Sequence, residues 1–411
     1  MSVYCGKNLR IEIFGASHAS ELGVCIYGLP KGLAVDEAAL QSFLRRRSPG
    51  TDPLCSKRSE DDVPIFTRGL TDGVTDGTVR AVIKNNDVKR QDYVNLTTVP
   101  RPGHADLAAW QKYGLDYDMS GGGPFSGRMT AALCIAGGIV IQELNRRGIT
   151  FCTEVVSPLP DHDLRRDAEA AARLGDSVGG IVKCSVFGLP SGIGGELFDG
   201  VDAHISELIF AIPGVKGIEF GAGFASASLL GSENNDQYSV KDGKVDILSN
   251  NAGGVLGGIT NGMPLRFSVA FKPTPSIAKA QQSVDLKTLQ NVELHISGRH
   301  DACFALRTPP VVESAAAIAL YDIMLTDCAT QELSELRRKI DLADARIIEL
   351  LKERLELCSD IAEYKREHGL PVLDAERERS VLDGVPPEFH DLYRQIFEIS
   401  KARQKEIIGH D

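Results

Sequence analysis

The chain has 411 residues, 43% hydrophobic and 25% charged, a composition ordinary for a folded protein with room for about two or three domains. A net charge of -11 argues against nucleic acid or an anionic membrane surface as partner, but leaves small anions open wherever basic residues gather. The nine cysteines form no CxxC pair and no His/Cys cluster of zinc spacing, so reduced thiols are expected, with no disulfide and no metal.

The N-terminal run LRIEIFG alternates like a strand and lacks the apolar block of a signal peptide. The most apolar run, AALCIAGGIVI, is too short to span a bilayer, so a cytoplasmic location is expected. Further strand-like stretches (VRAVIKN, GIVKCSVFGLP, PLRFSVAFK) interleave with helical ones (DEAALQSFLRRR, MTAALCIAGGIVIQELNRR, HISELIFAI, VESAAAIALYDIML). They lack the regular beat of a barrel or a doubly wound sheet, which predicts an α+β fold of mixed layers. Neither GxxxxGK[ST] nor a GxGxxG between a strand and a helix is present.

Polar groups concentrate in glycine-rich punctuation: GASHAS at 15–20, RRRSPG at 45–50, RPGHAD at 101–106, SGGGPFSGRMTA at 120–131, GGVLGGITNG at 253–262, FKPTPS at 271–276 and GRHDACFALRTPPVVE at 298–313. Singly, each has a structural explanation in turns, helix ends or packing. Together, two histidines, several arginines and a lysine beside exposed backbone describe a polyanion site with an acid or base that works near neutral pH.

These segments, in this order, resemble the chorismate synthase family across almost all of residues 1–325. The matches RPGHAD, NNAGGVLGGITNGMP, FKPTPS and GRHD carry the resemblance. It implies removal of phosphate and a ring proton from an enolpyruvylshikimate phosphate, with reduced FMN required although nothing is oxidised or reduced overall, and with NADPH as a candidate reductant. His18 and His104 match the family's two active-site histidines, implied there as proton donors to the departing phosphate and to the reduced flavin, and Asp301 matches the acid near the flavin ring. Arg46, Arg47, Arg128 and Arg307 are plausible clamps for the substrate's carboxylates and phosphate. Ser126, Gly257, Lys272, Pro273, Thr274, Pro275, Ser276 and Arg299 are the residues implied to hold FMN. Departures from the family pattern include Ala16 and Ala19 where Glu and Gly are usual, and Pro53 where an Arg is common.

After about residue 330 the chain changes character: the last 81 residues carry 33 charges, against 68 in the first 330. Domains of 1–328 and 331–411 are expected, with Thr330 or Ser334 as N-cap of a new helix. Leu336, Ile340, Ile347, Leu350, Leu351, Leu355, Cys358, Ile361 and Ala362 recur at helical spacings with no Gly or Pro before Gly369 and Pro371. Arg354 and Lys365, eleven residues apart, project from one side of that helix, whereas Arg337 does not. A second, antiparallel copy could supply the missing cation. Asp374 is placed to cap a short helix, and Ser400 and Gln404 share an apolar stripe with Phe389, Tyr393 and Ile396 on the last one.

The tail resembles the all-helical chorismate mutase family, whose dimers intertwine three helices per chain; LRRKID, LLKERLEL, IAEYK, PVLDAERE and ISKARQ match in order. By that resemblance Arg337 of the partner chain, Arg354 and Arg377 bind carboxylates, and Lys365 and Gln404 bond the ether oxygen whose C–O bond breaks. Asp374 and Glu378 take the hydroxyl, and Ser400 a carboxylate. The two resemblances together imply a bifunctional enzyme making chorismate and rearranging it to prephenate, acting on small anionic substrates as a homo-oligomer, a tetramer with paired mutase domains. The alternative keeps the synthase and makes the tail a non-catalytic dimerisation or effector module.

Overall fold

A computed structural model describes residues 1–48, 50, 52–55, 61–85, 98–296 and 301–409, with only the backbone of 328–335. The chain forms two compact units, Met1–Cys328 and Ala329–Asp411.

The first unit opens with β1 (Ser2–Cys5), β2 (Arg10–Gly15) and β3 (Glu21–Tyr27), followed by helix α1 (Glu37–Arg47), β4 (Ile65–Thr71) and β5 (Val74–Lys84). These strands make one antiparallel sheet in the order β1-β2-β3-β5-β4. Leu22, Val24 and Ile26 of β3 and Val79, Ala81 and Ile83 of β5 are fully or almost fully buried, each set at the period of two that puts alternate side chains on one face. Next come α2 (Asp106–Tyr113) and α3 (Thr130–Arg146).

Helix α3 is buried on every side from Thr130 to Ile141. It is the one helix among the described residues long and apolar enough to cross a membrane, counted as Gly127–Arg146, yet 78% of its most apolar window is buried inside the protein. Glycines set how closely its neighbours approach. A Cβ on Gly137 would lie 2.2 Å from Ser314 Cβ, and one on Gly138 would lie 2.5 Å from Leu40 of α1.

The second sheet follows from β6 (Thr150–Val156), α4 (Leu164–Arg173), β7 (Gly180–Phe187), α5 (Val201–Phe210) and β8 (Val215–Phe220). A short α6 (Gly231–Asn234) leads into the hairpins β9 (Tyr238–Lys241) with β10 (Lys244–Ile247) and β11 (Val255–Leu256) with β12 (Ile259–Thr260), and then β13 (Leu265–Phe271). Strand β13 inserts between β7 and β8, giving the antiparallel order β6-β7-β13-β8. A last hairpin pairs β14 (Gln281–Asp285) with β15 (Gln290–Leu294). One continuous apolar core draws on both sheets and on α1, α3, α5 and residues 311–324, as expected of an α+β layered fold.

Helix α7 (Pro309–His368) spans 60 residues. Its backbone is helical through 326–336, so no new helix starts at Thr330 or Ser334 and that expectation is corrected. The cause is legible after the fact. Pro309 and Pro310 suit a helix start, and nothing between Val311 and His368 is a Gly or Pro. The second unit continues with α8 (Ala375–Asp383) and α9 (His390–Ile408). Asp374 caps α8 by accepting from the Arg377 backbone N–H at 2.9 Å.

Candidate active site

A cavity of about 1080 Å³ opens in the first unit, and most of the glycine-rich loops converge on it. Its wall includes the turn 101–106. There His104 N–H donates to the Arg101 carbonyl at 3.2 Å, and Gly103 adopts φ +73°, the left-handed region natural to glycine. The turn ends on Asp106, in the first turn of α2, which is 1% exposed. Its carboxylate accepts from Arg101 backbone N–H at 3.0 Å, Arg101 Nε at 2.7 Å and Arg101 Nη2 at 2.8 Å, and contacts His104 Nδ1 at 2.6 Å. Burial would raise the Asp106 carboxyl, but its bonds to Arg101 and His104 hold it far below the usual carboxylate range.

Three consecutive glycines with positive φ, Gly121 to Gly123, pass beside both histidines. A Cβ on Gly121 would overlap the His18 ring, and one on Gly122 would lie 3.1 Å from His104 Nε2. His18 is 7% exposed and stands behind Gly121, while Ser17, Gly121 and His104 line the cavity itself. The His18 loop is held by Asn85 Nδ2, which donates to the carbonyls of Ala16 at 3.3 Å and Ala19 at 2.8 Å.

Facing these loops, Arg47 and Arg128 share one carboxylate. Asp62, buried and at φ 48°, accepts from Arg47 Nε at 3.2 Å, from Ser48 Oγ at 3.0 Å and from Arg128 Nη1, with a second bond from Arg47 Nη2. Arg128 Nε donates to Asn85 Oδ1 at 3.2 Å, tying the arginine pair to the residue that holds the His18 loop. Burial alone would raise the Asp62 carboxyl; the two guanidiniums outweigh it and bring it to about 2. Guanidinium forks of this kind suit the carboxylates and phosphate of an anionic ligand. Asp301 and Arg307 also line the cavity, joined by Arg307 Nη2 to Asp301 Oδ2 at 2.8 Å.

The expected cofactor segment is present at the same wall: Ser126, Lys272, Pro273, Thr274, Pro275 and Ser276 all line the cavity. Lys272 Nζ donates to the Gly103 carbonyl and Arg101 Nη1 to Ser276 Oγ at 3.2 Å, so this loop and the His104 turn are bonded at two points. Burial lowers the Lys272 ammonium, with Lys216 adding to it. Besides His18, two expected residues stand off the cavity wall. Gly257 sits in the β11–β12 turn, outside the cavity wall. Arg46 is also outside it: its guanidinium makes two bonds to Glu313, at 2.8 and 2.7 Å, and Thr153 Oγ1 donates to the same carboxylate. The reason is helical phase. Leu40, Leu44 and Arg47 form the buried stripe of α1, and Arg46 lies about 100° away from Arg47. Arg299 lies outside the described residues. Arg101, Asp106 and Asp62 are site residues the motif reading passed over; Asp106 stands in the quoted RPGHAD, whereas Asp62 belongs to no motif.

In the second unit Arg354 donates to Ser400 Oγ and lies 5.8 Å over the Phe397 ring, bringing α7 and α9 together at two expected residues. Gln404, one turn beyond Ser400, is 8% exposed, and its Oε1 has no partner among the described residues. Lys365 Nζ donates to the Val372 carbonyl at 2.8 Å, and Glu378 pairs with Lys401 at 3.3 Å. Arg377 and Arg337 are exposed. Arg337 stands 17 residues before Arg354, roughly 25 Å along one helix. Along this part of α7, Leu336, Ile340, Ile347, Leu350 and Ile361 are 47% to 60% exposed.

The chorismate synthase family model matches residues 9–325, and the chorismate mutase type II model matches residues 336–405. A chorismate synthase of Lancefieldella parvula is 42% identical over 362 residues, covering 78% of this chain and 95% of that protein. One of Chitinophaga pinensis is 43% identical over 325 residues, covering 78% and 96%. A crystal structure of a chorismate synthase has the same fold, with TM-score 0.61 and 24% identity over 79% of this chain and 93% of that one.

Proposed function

The chain belongs to the chorismate synthase family and carries a type II chorismate mutase domain, and from this premise we propose how its residues divide the work. It is a bifunctional enzyme of aromatic amino acid biosynthesis: the first unit eliminates phosphate from 5-enolpyruvylshikimate 3-phosphate to give chorismate, and the second rearranges chorismate to prephenate. The observation that carries the division is the cavity in which His104 faces Arg47, Arg101, Arg128 and Arg307.

In the synthase cavity Arg47, Arg128 and Arg307 clamp the substrate's carboxylates and phosphate. His18 gives a proton to the departing phosphate, and His104 is the acid or base on the other side of the Gly121–Gly122 step. Reduced FMN fits the donor set: the Lys272 ammonium with the Ser126 and Ser276 hydroxyls suits a phosphate, and the cavity's apolar wall, including Phe304 and Leu133, suits a ring. When bound, that group supplies electron density transiently with no net redox change, and NADPH is its candidate reductant. Asp301, bonded to Arg307, holds a carboxyl at the same wall.

The mutase reaction is an intramolecular rearrangement and needs no nucleophile, only a fixed conformer and charge complementary to the breaking C–O bond. Arg354 and Ser400 take a carboxylate, Lys365 and Gln404 the ether oxygen, and Asp374 or Glu378 the hydroxyl. An ether oxygen only accepts, so Gln404 would meet it through its amide N–H; the buried Oε1, without a partner among the described residues, is satisfied only by a donor. The exposed aliphatics of α7 support a helix paired with its own copy, which would bring Arg337 of that copy, together with Arg377, to the site.

The test is product analysis under anaerobic conditions, giving purified protein 5-enolpyruvylshikimate 3-phosphate and chemically reduced FMN. Prephenate and phosphate are expected. Chorismate without prephenate would confine activity to the first unit, and neither product would overturn the reading.

A further inference from the structure

The His104 turn contains a device that the reaction alone does not require. His104 Nδ1 lies 2.6 Å from Asp106 Oδ1 and 3.1 Å from Arg101 Nη2. Both neighbours cannot bond the same nitrogen: the carboxylate needs a proton on Nδ1, and the guanidinium needs a lone pair there. A separation of 2.6 Å from a carboxylate oxygen is tolerable only with a proton between the two atoms, whereas 3.1 Å from Arg101 follows from the three N–H groups that Arg101 already gives Asp106. The Nδ1–H tautomer is therefore the one this geometry fits.

We propose that Asp106, gripped by Arg101, is a positioning residue that keeps the proton on His104 Nδ1 and so leaves Nε2 as the nitrogen available to the cavity. Arg101 extends the same grip to the cofactor loop through Ser276 Oγ, setting the ring and that loop in one register. A merely structural Asp106 would hold the turn by its Arg101 bonds and would be indifferent to which histidine nitrogen is protonated. The proposal rests on the assignment of His104 to the synthase reaction.

The substitution Asp106→Asn separates the two. Asp106 Oδ2 receives two Arg101 donors, backbone N–H and Nε, while Oδ1 receives one Arg101 donor and His104 Nδ1. The asparagine oxygen therefore takes the Oδ2 place, and its NH2 points at His104 Nδ1, which must then accept; the ring proton moves to Nε2.

The experiment uses the full chain labelled with 15N-histidine, free of flavin and at a pH where the ring is neutral, with the His104 signals identified by their absence in His104→Ala. Native protein is expected to show Nδ1–H and Asp106→Asn to show Nε2–H. Nε2–H in the native protein overturns the proposal, and this reading stands even if the variant folds poorly. With substrate and reduced flavin, Asp106→Asn is expected to lose at least ~10-fold in kcat, towards the ~10²–10⁴-fold worth of a positioned acid–base group, with KM and flavin affinity little changed. The double variant Asp106→Asn/His104→Ala is expected to be no slower than His104→Ala alone; losses that multiply overturn the proposal, because Asp106 would then act on something other than His104. Normal turnover in His104→Ala itself overturns the assignment of that histidine, and with it the catalytic part of the proposal, while the tautomer measurement still decides the Asp106–His104 pairing.

Discussion

Gly121 is the floor against which His18 rests: a methyl group there would lie 2.3 Å from His18 Cδ2 and 2.4 Å from Nε2, with Ser17 Oγ at 3.1 Å. The next glycine stands less close to His104, where a Cβ would lie 3.1 Å from Nε2. Two histidines from distant parts of the chain, His104 at the cavity and His18 behind Gly121, are thus packed against residues whose contribution is the absence of a side chain.

Gly121→Ala must displace His18, because the neighbour in the way is a ring with little room to swing and the backbone φ of +59° adds its own strain. Displacement of about 1 Å at a reacting group is enough for a loss on the order of 10²-fold. Synthase turnover should fall by that order while flavin titration changes little. Gly148→Ala, also at positive φ but with nothing within 4 Å, is the comparison that carries strain alone. Equal turnover in the two variants would show that His18 is not held by Gly121.

Asp62 should make the first unit sensitive to acid. Its folded-state carboxyl sits at about 2 against an ordinary 3.8, so its contribution is fully present above pH 4 and is lost as pH falls from about 4 to about 2. The depression corresponds to about 2 kcal/mol. Denaturant unfolding followed down that window should show wild type losing this increment more than Asp62→Asn does. At pH 7 the variant should be destabilised by roughly 3–5 kcal/mol, because buried Arg47 and Arg128 both lose the carboxylate they share. Parallel pH profiles for the two proteins would refute the bridging role.

Arg46 and Arg47 should part company in assays. Arg46→Ala removes the two bonds to buried Glu313 and is expected to cost stability, of order 1–3 kcal/mol, with KM for the synthase substrate near wild type. Arg47→Lys keeps a charge but loses the fork that meets Asp62, so KM should rise instead. A KM effect from Arg46→Ala larger than that from Arg47→Lys would place the clamp on the wrong residue.

In the second unit, Arg337→Ala and Lys365→Ala should each nearly abolish the rearrangement without dissociating the protein. Mixed and allowed to exchange subunits, the two dead proteins should recover activity. Each mixed pair then has one pocket carrying both lesions and one carrying neither, so about half of its sites work. Mixed pairs that stay inactive would show that Arg337 does not reach across to a partner's Arg354 and Lys365.

Most of the secondary structure could be read directly from residue order, because period-two burial in β3 and β5, the apolar stripe of α1 and the Gly- and Pro-free run of α7 are local patterns that chain geometry converts into strands and helices. Even the choice between Arg46 and Arg47 was available in the phase of Leu40 and Leu44. The charge shift near residue 330 was a weaker guide: it marks where side chains meet a different environment, which a continuous helix can cross without a break, and only the folded backbone decided that point. The same is true of Asp62 between two arginines, of Asp106 between Arg101 and His104, and of Gly121 and Gly122 against two histidines. Those relations join residues through folded loops, by carboxylate bonds or by the space a missing Cβ leaves. Sequence fixes which groups are available for such bonds, but their distances are set by how two sheets and the helices in one shared core happen to pack.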